Sequence, residues 1–288
     1  MTAYRTLIDA STLAGLLGQP GLRVVDCRHD LADPEAGRRA WAELHIPGAV
    51  FMHLDEDLSG PCTGRNGRHP LPNPAVFAAR LGELGIAPGD QVVAYDDAGG
   101  AIAARLWWML RWIGHDRAAV LDGGYRAWRQ AGLPVDAEVP TITPVEHPVG
   151  PTTAATIDAA GLRRALEAGS VTLIDARSPD RFAGQNETLD PVGGHIPGAV
   201  NRFFRDNLSG GRFRPAAELR AEFEALLDGR EPSDVVHQCG SGVTACHNLL
   251  AMEVAGLRGS CLYPGSWSEW CADPERPVVT GETTSSPG

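Results

Sequence analysis

A chain of 288 residues exceeds a typical single domain, and 43% hydrophobic with 21% charged residues is the composition of a folded protein and not of a disordered one. A net charge of −11 argues against nucleic acid or an anionic membrane surface as the main partner, while leaving room for a small anionic substrate held by a few local arginines. No apolar run approaches the roughly 20 residues of a membrane span, and Met1 to Gln19 lacks a basic start with a long apolar run behind it, so neither a membrane segment nor a signal peptide is expected. The six cysteines, at 27, 62, 239, 246, 261 and 271, show no CxxC pair and no His/Cys metal spacing. A reduced, cytoplasmic protein without metal or cofactor is the simplest expectation.

In chain order, short β-branched runs alternate with helical patterns. Strand-like Val24-Val25-Asp26 precedes a helix over 75–84; Val92-Val93-Ala94-Tyr95 precedes a helix over 101–113. A helix over 159–168 leads into Leu173-Ile174-Asp175, and a helix over 215–227 leads into Val235-Val236 and a last helix over 244–257. The alternation predicts an α/β protein whose sheets are mainly parallel and covered by helices on both faces. Ligands in such sheets sit beyond the carboxyl ends of strands.

The chain also repeats itself, with a period of about 145 residues. Val24-Val25-Asp26-Cys27-Arg28 is echoed by Leu173-Ile174-Asp175-Ala176-Arg177, and His45-Ile46-Pro47-Gly48-Ala49-Val50 by His195-Ile196-Pro197-Gly198-Ala199-Val200. Val92 to Asp96 lines up with Val235 to Cys239, and the block from Leu121 to Trp128 with the block from Leu262 to Trp270. Four matched blocks in one order mean two tandem domains, expected at 1–139 and 154–288. The proline-rich stretch 140–153 would join them as an extended, fairly stiff tether. The tail after Cys271, rich in Pro, Thr, Ser and Gly, is expected to fray.

At the aligned key position the first copy has Asp96 and the second Cys239. Cys239 ends a strand and opens Gly240-Ser241-Gly242-Val243-Thr244 before a helix, so glycines with freedom to take φ > 0 can curl the loop until successive N–H groups converge on one point. Such a nest at a helix N-terminus holds a sulfur as an anion, and the thiolate is the nucleophile. A buried structural cysteine is the alternative reading, and the flanking glycines weigh against it. Cys246, seven residues on, reads as a core-facing small residue, with a redox-resolving role as the other option.

The duplicated Asp-x-Arg and His-Ile-Pro-Gly-Ala blocks, the Cys239-Gly240-Ser241-Gly242-Val243-Thr244 loop and Gly265-Ser266-Trp267-Ser268-Glu269-Trp270 closely resemble the two-domain rhodanese family of sulfurtransferases over nearly the whole chain. The resemblance implies two rhodanese-like domains, the first non-catalytic and the second catalytic, with a Cys239 persulfide as the intermediate. Within the family the loop looks like that of the 3-mercaptopyruvate sulfurtransferases, because thiosulfate sulfurtransferases place Arg and Lys after the Cys. A thiol or cyanide, or a thioredoxin-like protein, would accept the sulfur. The chemistry agrees: sulfite leaving from thiosulfate needs a cation beside it, whereas a pyruvate enolate is served by a hydroxyl such as Ser241 that gives a proton or a hydrogen bond.

Further roles follow only from the resemblance. A Ser at this place is proposed to work with an Asp and a His from the first domain, which puts the Asp at Asp55 and the His at His69, with Asp57 and His53 as neighbouring alternatives, in a cleft between domains. Arg181 matches the arginine that binds the donor's anionic group, while Gly240, Gly242, Val243 and Thr244 line the loop. Mercaptopyruvate enzymes often carry a second arginine shortly before the second His-Ile-Pro-Gly block; residues 186–194 have none, leaving Arg202, Arg205 or Arg212 to supply the charge, or another donor.

Asp26, Arg28, Asp175 and Arg177 occur in both copies and read as structural ion pairs; His45 and His195 read as turn residues for the same reason. Trp267 and Trp270 would line the acceptor side of the pocket or fill the core, and Trp107, Trp108 and Trp112 read as core or domain interface. A phosphatase of the Cys-x5-Arg type would need Arg where Ala245 stands. Thiosulfate:cyanide sulfurtransferase is the nearest alternative, and a non-catalytic sulfur carrier or interaction module the alternative from another class.

Overall fold

The structure, a computed structural model, describes residues 2–281. It divides into two compact units, neither of them one continuous stretch. The first comprises Met1–Gly60, Leu71–Ala154 and Leu208–Phe213; the second comprises Pro61–Pro70, Ala155–Asn207 and Arg214–Gly288.

The first unit runs β1 (Leu7–Ile8), α1 (Ala10–Leu16), β2 (Leu22–Asp26), α2 (Ala36–Glu43), β3 (Val50–Phe51), α3 (Pro74–Glu83), β4 (Gln91–Tyr95), α4 (Ala103–Trp112), β5 (Ala118–Leu121) and α5 (Gly124–Gln130). Its five strands form one parallel sheet in the order β1-β5-β4-β2-β3. The central strand β4 is buried at every residue, which is why it reads as a continuous apolar run and does not alternate. Helix starts follow local chemistry: Asp9 caps α1 by accepting from Thr12 N at 2.9 Å, and Asn73 caps α3 ahead of Pro74.

The second unit starts with α6 (Ala159–Glu167), β6 (Thr172–Asp175), α7 (Pro179–Phe182) and β7 (Ala199–Asn201). The chain then passes through β8 (Leu208–Ser209) and β9 (Arg212–Phe213), a small antiparallel pair that belongs to the first unit. It returns with α8 (Ala216–Leu227), β10 (Val235–Gln238), α9 (Ala245–Val254), β11 (Cys261–Leu262) and α10 (Ser266–Trp270). The parallel order β11-β10-β6-β7 repeats that of the first sheet, with the edge strand β1 reduced to a single bridge between Thr156 and Leu262. Each unit is therefore a largely parallel sheet flanked by helices, as the alternation of elements implies.

The duplication extends to individual bonds. Arg28 clasps Asp26 at 2.6 Å and donates to Leu44 O at 2.8 Å; Arg177 clasps Asp175 at 2.7 Å and donates to Gly194 O at 2.7 Å. Both pairs are buried at strand ends, where loss of one partner costs roughly 3–5 kcal/mol because a buried charge is left alone. His45 and His195 hold their turns by bonding backbone carbonyls through Nδ1, at 2.6 Å to Trp41 O and 2.9 Å to Phe182 O. A matched cap, Ile8-Asp9-Ala10 against Ile157-Asp158-Ala159, is a further repeat block.

Two expectations need correction, on the last repeat block and on the tail, and the linker gains a detail. The last repeat block is offset by one residue, because Val120 pairs with Ala94 as Leu262 pairs with His237; Gly124 then matches Ser266, and Tyr125 matches Trp267. The stretch 140–153 carries no helix or strand and is tied along the first unit: Val145 N bonds Gly82 O, Gly150 N bonds Ile113 O and Thr153 N bonds Arg111 O. The tail does not fray over 272–281, where Trp270 Nε1 donates to Pro277 O, Val279 pairs with His195 and Gly281 N bonds Ala183 O; residues 282–288 lie outside those described. Trp267 and Trp270 belong to the core of the second unit, and Trp107 and Trp108 are buried in the first.

Candidate active site

In the second unit β10 ends where Cys239 begins the loop. The first turn of α10 clamps that loop through Cys239 N to Ser266 Oγ at 3.1 Å, Trp267 N to Cys239 O at 3.0 Å and Ser268 N to Gly240 O at 2.9 Å. Ser266 is fully buried and has φ +53°, a left-handed conformation that costs a non-glycine residue about 1–3 kcal/mol. Its hydroxyl is what the strain secures, since Oγ takes the Cys239 amide and donates to Tyr263 O at 3.0 Å. Gly124, its counterpart in the first unit, has no such group.

The two loop glycines act differently. Gly242 has φ +80°, and a Cβ there would lie 2.3 Å from Pro264 O, so only glycine fits. Gly240 does not need a positive φ; it leaves room for cations, because a Cβ there would meet Arg68 Nη2 at 2.9 Å and Arg181 Nη2 at 3.5 Å. Gly242 N–H donates to Cys239 Sγ at 3.1 Å. Val243 is buried, and Thr244 precedes the first residue of α9.

The aligned loop of the first unit is occupied by its own side chain. Asp96 is buried, and its carboxylate accepts from the amides of Ala98 (2.9 Å), Gly100 (2.8 Å), Ile102 (2.8 Å) and Ala103 (2.9 Å). Burial raises this carboxyl above its usual range, against the pull of the four amides. A loop of this construction thus gathers amide donors on acceptor atoms reached two bonds beyond Cβ.

Segment 61–70 belongs to the second unit and delivers two side chains to the Cys239 loop. Arg68 N donates to Ser268 Oγ at 3.1 Å, and Gly67, at φ +84°, passes so close to Gly265 that a Cβ would lie 2.8 Å from its carbonyl. His69, 7% exposed, brings Nδ1 to 2.7 Å from Ser241 Oγ. Arg68 ion-pairs with Asp190, and Arg181 forms a two-pronged pair with Glu187 at 3.0 and 2.9 Å. Burial would raise the Glu187 carboxyl; Arg181 and the amides of Leu189 and Asp190 outweigh it and hold it below the usual range. Arg177, buried over the Trp267 ring, keeps its charge through Asp175.

The structure therefore brings Cys239, Ser241, His69, Arg181, Gly240 and Gly242 together within one unit. Asp55 belongs to the first unit, where its amide donates to His53 Nδ1 at 3.1 Å; Asp57 there pairs with Arg80 at 2.7 Å. Of the arginines considered for the extra charge, Arg202 is held by Glu222 at 2.5 Å, Arg212 lies in the first unit 3.8 Å from Asp122, and Arg205 lies over the Phe204 ring. The cation that joins Arg181 over Gly240 is Arg68, whose only mark in the sequence is its place beside His69.

The six cysteines are unbridged. Burial pushes Cys261 and Cys271 up to about 11, so both are thiols at neutral pH, and Cys246 donates to Gly242 O at 3.4 Å from inside the core. Among the described residues, His29, His53 and Asp55 form the one group of potential metal ligands, but both ring nitrogens of His53 already bond backbone groups. No helix of the described residues is long and apolar enough to cross a membrane.

Residues 9–131 and 158–273 each match the family model Rhodanese, the rhodanese-like domain. The chain belongs to the rhodanese family. It is 49% identical over 279 residues, 96% of the chain and 98% of the relative, to a Pseudomonas aeruginosa protein named "Probable 3-mercaptopyruvate sulfurtransferase". It is 36% identical to the thiosulfate sulfurtransferase of Bos taurus, covering 97% of each chain. Among solved structures, the 3-mercaptopyruvate sulfurtransferase from Leishmania major superposes with a TM-score of 0.79 at 32% identity, covering 92% of this chain and 74% of that one. With relatives of this kind along nearly its whole length, the rhodanese-family chain is an enzyme, a sulfurtransferase that works through a cysteine intermediate.

Proposed function

We propose that this sulfurtransferase takes sulfane sulfur from 3-mercaptopyruvate onto Cys239 and passes it to a thiol or to cyanide. The observation that carries the donor is the 2.7 Å contact between His69 Nδ1 and Ser241 Oγ, a proton path two residues from the nucleophile. Cys239 thiolate attacks the donor's sulfur; the S–S bond forms, the C–S bond breaks, and its electron pair passes to the pyruvate enolate. Ser241 Oγ–H stands ready to protonate that enolate or hydrogen-bond to it, with His69 restoring the proton. Arg181 and Arg68 present N–H groups to the donor's carboxylate. Asp55 enters on the resemblance alone.

The outer sulfur of a Cys239 persulfide lies two bonds beyond Cβ, the reach of the Asp96 carboxylate oxygens, so amides matching those around Asp96 would hold it as an anion. An acceptor thiolate then attacks the outer sulfur and the electron pair returns to Cys239. A small thiol or a thioredoxin-like protein would serve as acceptor, in the cytoplasmic setting that the cysteine spacing suggests. The 49% identity to the Pseudomonas aeruginosa protein supports the donor assignment. Thiosulfate is the second reading, favoured by the two guanidinium groups over Gly240, which would suit a leaving sulfite.

Side-by-side turnover decides between them. Mercaptopyruvate is expected to show at least about tenfold the kcat/KM of thiosulfate, a difference of about 1.4 kcal/mol in transition-state binding; a reversed ratio replaces the donor. Arg181→Ala should raise KM for mercaptopyruvate on the order of tenfold or more with a smaller change in kcat, as loss of a charge-assisted pair does. An unchanged KM would leave Arg181 its pairing with Glu187 and Asp190 alone.

A further inference from the structure

We propose that Asp190 sets the charge of the donor this site accepts, standing as a fixed anion between the two arginines over Gly240 and favouring a singly charged donor over a doubly charged one. The inference rests on the sulfur-transfer reading for the identity of its donors. Asp190 Oδ1 is paired with Arg68 Nη1, and Oδ2 lies 3.6 Å from Arg181 Nη2. The side chain is 3% exposed, so little solvent screens it. Arg68, Arg181 and the buried Arg177, 3.6 Å from Glu187, contribute three positive charges, and Asp190, Glu187 and Asp175 cancel all three. An incoming anion thus meets guanidinium N–H groups without a net positive field. A carboxylate monoanion is satisfied by the hydrogen bonds, whereas a dianion brings a second charge that nothing in this cluster offsets.

Glu187 cannot fill this role alone. Both its oxygens bond Arg181, and Oε1 also accepts from the amides of Leu189 and Asp190 at 2.9 and 3.2 Å, so its charge builds the loop. Asp190 Oδ2 is buried and has no hydrogen bond, which leaves its charge acting on whatever approaches the arginines. Asp190 also lies in the stretch 186–194, which holds no arginine or lysine, so the loop that carries it offers no cation of its own to offset its charge.

Two tetrahedral sulfur anions that share an SO3 face but differ in charge, methanesulfonate and sulfate, test the inference by calorimetric binding to the intact protein. The wild type should bind methanesulfonate at least as tightly as sulfate. Asp190→Asn should tighten sulfate on the order of tenfold, the scale of one unit charge acting from a few ångströms behind two guanidinium groups, while methanesulfonate moves less than about threefold. KM for thiosulfate should fall in parallel, and Asp190→Glu should keep the wild-type order. Equal shifts for both anions, or weaker sulfate binding in Asp190→Asn, would overturn the inference. If Asp190→Asn does not fold, the wild-type comparison still decides, because a wild type that binds sulfate more tightly than methanesulfonate is incompatible with it. Absence of mercaptopyruvate turnover would refute the donor assignment and leave the binding result to judge Asp190 separately.

Discussion

Incubation with mercaptopyruvate should add one sulfur atom to the protein by intact mass, and Cys239→Ser should carry none and turn nothing over. The expected loss is complete, because the remaining steps all pass through the S–S bond on Cys239 and a serine hydroxyl cannot form it. The other cysteines do not substitute. Cys27 is buried with its thiol pushed well up by burial, Cys261 and Cys271 stay protonated at neutral pH, and Cys246 lies in the core with its Sγ on Gly242 O. Cys62 is exposed, so the Cys239→Ser arm matters: sulfur that remains on the variant would be surface modification at a residue such as Cys62. A wild type that turns over without gaining mass under donor excess would remove the persulfide from the mechanism.

Replacing Ser241 with Ala should separate the two donors. Pyruvate release from mercaptopyruvate should fall on the order of a hundredfold or more, the usual scale for a positioned proton donor, while sulfite release from thiosulfate should stay within about threefold. The reason lies in the leaving groups: an enolate needs a proton or hydrogen bond as the C–S bond breaks, and sulfite leaves as a stable anion. His69→Ala should cost mercaptopyruvate turnover a comparable factor, and the double variant little more, because the 2.7 Å contact makes the two side chains one unit. Equal losses with both donors would reduce Ser241 to a loop residue. Fully additive losses would separate the hydroxyl from the imidazole.

The sequence by itself determined the duplicated α/β scaffold and singled out Cys239 as the candidate nucleophile. Strand-length apolar runs are local patterns, and the matched blocks and the Asp96/Cys239 contrast are legible because each block is a short contiguous string that recurs about 145 residues later. The buried Asp-Arg pairs were legible for the same reason: in Asp175-Ala176-Arg177 the partners are two residues apart at a strand end, and the extended backbone sets them on one face. Ser241 was legible as part of the loop, and His69 and Asp55 only through resemblance.

Tertiary structure decided the charges around the loop. Arg68 meets Asp190 across 122 residues of sequence and comes over Gly240 because segment 61–70 folds with the second unit. No periodicity or motif encodes that crossing, so the missing arginine was sought downstream, at Arg202, Arg205 and Arg212. Ser266 was hidden because a serine at φ +53° reads as an ordinary turn residue until its hydroxyl is seen to hold the Cys239 amide. Gly240 was misread as a positive-φ glycine because freedom to curl and room for a guanidinium leave the same letter in the sequence. Local backbone chemistry singled out the candidate nucleophile; contacts between distant segments, made only when the hydrophobic cores close, set the charges around it.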